Sequence, residues 1–209
     1  MISLVMDTET GGMDAGRHSL LSVAAVVIEE GTILDQDEFL LNPELDGFPL
    51  NVEAGALAVN KLNLDQVRAI GLAPRAGALR LQSMLRKHGV RGNVTGIFHN
   101  ALFDVPFIQQ MFRLAREAES QAPAYGSQLP TFQNVLNHRT RCTMQMANLL
   151  MDAGVIQVKG SSLGLLCDYF NVRFEGQQHS ALTDARATAQ VYFKMIQMLR
   201  SAFTRTPVV

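Results

Sequence analysis

Apolar residues in this chain come first in short continuous runs and later at helical spacing. Residues 2–6 form an apolar run that reads as a buried strand. Residues 20–28 are rich in valine and read as a second, and the more polar residues 32–41 as a third. Gly11, Gly12 and Gly16 make the first connection a turn, and Gly31 the second. Three successive strands joined this way predict an antiparallel meander.

The period then changes. Residues 52–60 and 64–70 look helical, and Pro74, suited to a first helical turn, opens a longer helix to about His88. Residues 94–98 read as a fourth strand. A helix over 103–117 carries Phe107, Ile108, Met111, Phe112 and Leu114. Residues 118–131 predict the most mobile loop, and 139–143 a short fifth strand. Helices follow over 143–153 and 161–170. The last, from about 180 to 202, aligns Leu182, Ala185, Ala189, Ile196 and Leu199 on one face. Strands first, then strands alternating with helices, predict an α/β fold: a mixed sheet with helices on its faces.

At 209 residues and 47% apolar content, the chain suits one domain with one well-buried core. Lys+Arg number 18 against Asp+Glu 19, a net charge of -1, so long nucleic acid held by charge alone is disfavoured. Cys142 and Cys167 suggest neither a disulfide framework nor a zinc site. Asp7 and Glu9 interrupt the first apolar run, which argues against a secretory signal. The run at 20–28 is too short to span a bilayer. The expectation is a soluble cytoplasmic protein with no membrane partner.

Candidate chemistry lies in three separated segments: Asp7-Thr8-Glu9, His99-Asn100-Ala101-Leu102-Phe103-Asp104 and His179-Ser180-Ala181-Leu182-Thr183-Asp184. Positions i and i+2 on a strand share a face, so Asp7 and Glu9 point together. Asp35 and Asp37 have the same spacing and read as a solvated strand face. Asp104 opens a helix, where capping and metal binding compete. His99 reads first as a polar group closing a strand. Asp184 sits one turn into the last helix, with His179 in the loop before it. Carboxylates gathered from distant segments repel one another, and divalent metal is the simplest counter-charge. Two such ions, with a histidine to take a proton from water, match the needs of phosphodiester hydrolysis.

Asp-Thr-Glu-Thr-Gly, His-Asn-Ala-x-Phe-Asp and His-Ser-Ala-x-x-Asp, in this order, resemble the three exonuclease motifs of the DnaQ-like family in its histidine-containing (DEDDh) branch. The resemblance covers nearly the whole chain. It implies a ribonuclease H-like mixed five-stranded sheet flanked by helices, and 3′ to 5′ release of nucleoside monophosphates. By position it implies that Asp7, Glu9, Asp104 and Asp184 hold two Mg2+ or Mn2+ ions and that His179 is the general base. It places Thr8 and Thr10 beside the terminal nucleotide, and Leu57 and Asn60 at its sugar and base. Phe103 is either a base-stacking residue or part of the core.

Within the family the chain is most similar to the RNase T and DNA polymerase III proofreading-subunit group. Residues 137–143 lack the phenylalanine that RNase T places there, and Arg75, Arg80, Arg86, Lys87 and Arg91 form only a loose basic run, read as a solvated helix face. Single-stranded DNA 3′ ends are therefore favoured as substrate. RNase T-like trimming of RNA ends is the alternative, and a non-catalytic nucleic-acid-binding module on the same fold a third reading. A polymerase or other replication or repair partner fits the family, although the short stretch after the last predicted helix leads us to expect no tethering segment.

Overall fold

The computed structural model describes residues 1–174 and 180–204, apart from the side chains of 203 and 204. Its centre is a five-stranded sheet: β1 (Ile2–Thr10), β2 (Leu20–Glu29), β3 (Thr32–Leu40), β4 (Thr95–Phe98) and β5 (Arg141–Cys142), in the order β3-β2-β1-β4-β5. The first three strands are the expected antiparallel meander, and β4 and β5 add parallel to β1. This mixed, helix-flanked sheet is the ribonuclease H-like arrangement that the motifs imply.

Eight helices cover or border the sheet among the described residues: α1 (Ala54–Asn60), α2 (Leu64–Ile70), α3 (Pro74–Lys87), α4 (Ala101–Gln121), α5 (Phe132–Val135), α6 (Thr143–Asp152), α7 (Leu163–Phe170) and α8 (Ala181–Thr204). Alternation on β1 decides which layer covers which face. Leu4 and Met6 join Val23, Ala25, Val27 and Phe39 beneath α3 and α4, whose Leu81, Leu85, Phe107, Ile108 and Met111 complete that core. Val5 points the other way, with Ala24, Val26 and Ile97, against Ala181, Ala185 and Ala189 of α8. That alanine stripe has no bulk to hold the helix off the sheet.

β1 runs four residues past the expected end and carries Asp7 and Glu9 inside the strand. Glu9 pairs with Ser22 but Thr10 with Leu20, so Leu21 is the extra residue of a β-bulge that bends the sheet beside Glu9.

Asp35 and Asp37 are not a solvated face. Arg80 Nη2 donates to Asp37 at 2.8 Å and Lys87 to Asp35 at 2.8 Å, with His88 also on Asp35 at 3.0 Å. Arg75 pairs with Asp46 at 2.8 Å and Glu119 at 3.4 Å. Arg75, Arg80 and Lys87 of the basic run thus tie α3 to Asp46, to β3 and to Glu119 of α4. The expected mobile loop is shorter and anchored: α4 continues to Gln121, and Glu119 accepts the N–H groups of Ala124, Tyr125 and Gly126. Those bonds hold the Glu119 carboxyl below its ordinary range.

Candidate active site

The site lies at the carboxyl ends of the adjacent parallel strands β1 and β4, the crevice where open α/β sheets receive ligands. Asp7 and Glu9 project from the face of β1 that α8 covers. Asp184, in the first turn of α8, completes a trio whose ligand oxygens all lie within 4.8 Å of one another. The alanine stripe brings it there, since Asp184 precedes Ala185 on the packed face.

Asp104 arrives from the opposite layer. At the end of β4, Asn100 takes a left-handed conformation (φ 67°), tolerable for asparagine, and turns the chain directly into α4. This sets Asp104 one turn into the helix, where it is 97% buried beneath β1. Thr8 Oγ1 donates to its Oδ1 at 2.8 Å, so the middle residue of the first motif orients the acid of the second. His99 stays out of the cluster. Its Nδ1 lies 2.9 Å from Thr143 Oγ1, and burial pushes its pKa down to about 4, leaving a neutral structural imidazole. His179 lies outside the described residues.

A cleft of about 350 Å³ opens beside Glu9, between the end of β1, α1 and the start of α4. Thr8, Thr10, Asn60 and Phe103 line it; Leu57 does not. On a short helix, residues 56, 59 and 60 share a side, so Ala56 and Val59 face the cleft where Leu57 turns away. Asn60 donates its amide to Thr10 O at 3.0 Å and accepts from Leu62 N at 3.1 Å, which pins α1 to β1. Thr10 Oγ1 donates to Gly12 O. Phe103 meets Phe107 at 5.3 Å, one edge in the core and the other in the cleft. Met13, 79% exposed, also lines the cleft. The sequence reading did not single it out, although a long apolar residue in a glycine-rich turn is the kind of signal that marks such a wall.

The exonuclease family that carries the RNase T name matches residues 4–192. The chain belongs to that family. A DNA polymerase III PolC-type protein of Oceanobacillus iheyensis is 24% identical over 197 residues, covering 94% of this chain and 11% of the polymerase. A Ribonuclease T of Histophilus somni is 27% identical over 207 residues, covering 94% of this chain and 84% of the relative. The chain therefore spans only about a tenth of the PolC-type relatives' length. Among solved structures, E. coli Exonuclease I in complex with a dT13 oligonucleotide superposes with a TM-score of 0.73 at 16% identity, over 98% of this chain and 43% of that one. Exonuclease X in complex with 5′ overhanging duplex DNA gives 0.59 at 18% identity, over 93% and 91%. These structures share the fold.

In this exonuclease-family chain the acids resist ionisation together. Burial, then the charges of Asp184, Asp104 and Glu38, push Glu9 up to about 8. Burial and the facing carboxylates hold Asp7 well above the ordinary range, and burial raises Asp104 against the pull of Thr8. Glu38, across Ala24 from Asp7 and bonded to Ser22 Oγ at 3.2 Å, adds a fifth negative group. Close carboxylate oxygens of this kind suit a hard divalent cation. Among the described residues no helix is long and apolar enough to cross a membrane.

Two expectations follow from this geometry. The folded, metal-free protein binds more protons than the unfolded chain. Its stability therefore falls as pH rises from the unfolded carboxylate range through about 8, where Glu9 titrates. Mn2+ at one fixed concentration stabilises more where its dissociation constant is lower, by about 2.7 kcal/mol at a hundred times that constant. The melting-temperature gap between Mn2+ and EDTA should be wider at pH 8 than at pH 5, and an equal gap contradicts the coupling. Second, Thr8→Val removes the donor to Asp104, so kcat should fall roughly ten- to a hundredfold and Mn2+ affinity weaken, read by turnover and calorimetry.

Proposed function

We propose that this chain is a metal-dependent 3′ to 5′ exonuclease that releases nucleoside monophosphates from single-stranded nucleic acid, with DNA favoured. The convergence of Asp7, Glu9 and Asp184 within 4.8 Å, with Asp104 held by Thr8 beside them, is the observation that carries the reading. In it Asp7, Glu9, Asp104 and Asp184 hold two Mg2+ or Mn2+ ions. When bound, such ions acidify a water and neutralise charge on the phosphoryl and leaving oxygens. The protein's own groups do the rest. Thr8 orients Asp104, and the cleft walls of Thr10, Asn60 and Phe103 seat the terminal nucleotide. His179 takes the proton of the attacking water.

Among the described residues that line the cleft, none is lysine or arginine, and Met13, Val59 and Phe103 supply apolar surface. Such a wall grips an unstacked base rather than a phosphate, which favours single strands or frayed ends. The Ribonuclease T relative, matched over 84% of its length, favours an RNA-trimming alternative. The PolC-type relative makes a polymerase the partner class to test. Side-by-side digestion of matched 3′-labelled single-stranded DNA, single-stranded RNA and duplex, each with Mg2+ and with EDTA, separates these readings. The expected order is single-stranded DNA, then RNA, then duplex, with no cleavage in EDTA. Oligonucleotide binding without metal-dependent cleavage of any substrate replaces this reading with a binding module.

A further inference from the structure

The cleft's outer wall, α1, is fixed at both ends. Asn60 holds its C-terminal end to Thr10 O, and the N-terminal end is held by a histidine outside the three motifs. His18 closes the loop that follows β1. The N–H of Asp14 donates to His18 Nδ1 at 3.2 Å, which leaves the ring proton on Nε2, 2.9 Å from Glu53 Oε1. Glu53 immediately precedes α1 and makes no side-chain capping bond to it; its Oε1 faces His18 instead. Its backbone N–H donates to Gly11 O at 2.7 Å. Beneath the loop, Gln110 of α4 donates to His18 O at 2.9 Å, so the imidazole sits on a fixed base. Gly12, a cleft residue, lies against the ring: a Cβ there would be 2.5 Å from His18 Cγ. His18 thus touches one wall of the cleft at Gly12 and holds the other through Glu53.

We propose that His18 is a positioning residue for substrate, setting through Glu53 the width of the cleft that receives the terminal nucleotide. The assignment rests on the exonuclease reading. It uses both ring nitrogens of His18, Nδ1 accepting from the loop and Nε2 facing the carboxylate that precedes α1. No contact with the carboxylate cluster is involved, so binding and chemistry should separate on mutation.

The test is steady-state cleavage of a 3′-labelled single-stranded oligonucleotide, with melting temperatures recorded alongside. His18→Ala should raise KM about tenfold, the worth of one charge-assisted hydrogen bond. Its kcat should stay within about twofold, because the loss is in binding. His18→Gln, whose amide N–H can reach Glu53, should restore most of the wild-type KM, whereas His18→Asn, which keeps only the acceptor near Asp14, should not. Glu53→Ala should match His18→Ala, and the double variant should be no worse than either. An unchanged KM in His18→Ala overturns the proposal, as does rescue by Asn rather than Gln. If His18→Ala does not fold, the KM of Glu53→Ala decides in the same way. Amide exchange over residues 52–60 gives a readout independent of turnover: faster in His18→Ala and restored in His18→Gln supports the anchor, and no change overturns it. Wild-type protein that cuts nothing sinks the exonuclease reading, while exchange still judges the anchor.

Discussion

Asp184→Asn should lower kcat for oligonucleotide cleavage by at least about a thousandfold, some 4 kcal/mol of transition-state stabilisation. The substitution keeps the shape of the side chain and removes one of three carboxyl groups whose ligand oxygens lie within 4.8 Å of one another. In EDTA the variant should melt no lower than wild type, because it removes the Asp184 charge that, after burial, pushes Glu9 up to about 8. Loss of activity without loss of fold separates a ligand from a core residue. Measured in Mn2+ by labelled-product release, activity within tenfold of wild type would falsify the assignment of Asp184 to the metal site. The same substitution at Asp7 should behave alike, since Asp7 faces Asp104, Asp184 and Glu9 together.

His179→Asn should remove most activity, roughly a hundredfold or more, while calorimetric Mn2+ affinity stays near wild type. A general base acts on the attacking water and contributes no ligand, so the two measurements should part. The acid limb of the wild-type pH–rate profile should flatten in the variant. A parallel loss of Mn2+ binding would place His179 among the ligands, and an unchanged acid limb would assign the proton transfer elsewhere.

Much of the fold was legible because strand and helix periods differ so clearly here. The continuous apolar run of β2 is short enough to read as a strand buried on both faces, and the alanine and leucine spacing of α8 reads as a helix packed on the sheet. Motif spacing likewise pointed to Asp7, Glu9 and Asp184, whose ligand oxygens lie within 4.8 Å of one another where β1 ends and α8 begins, and to Asp104, which the start of α4 sets against Thr8. What stayed hidden depends on contacts across long sequence separations. Asp35 and Asp37 read as a solvated pair because nothing local shows that α3 lies over β3 and brings Arg80 and Lys87 to them. Glu38 was overlooked because its place beside Asp7 depends on strand register through Ala24. Leu57 rests on the resemblance alone, because α1, only seven residues long, has too short a pattern to fix which side faces Thr10. The link from His18 to Glu53 crosses 35 positions, beyond the reach of any local pattern.

The central claim is that four acids from β1, α4 and α8 form one dication site. A crystal grown in Mn2+ and measured at the manganese absorption edge tests it most directly. The account predicts two anomalous peaks about 4 Å apart, bounded by Asp7, Glu9, Asp104 and Asp184. Density free of ions at that corner, with manganese bound elsewhere or nowhere, would contradict it.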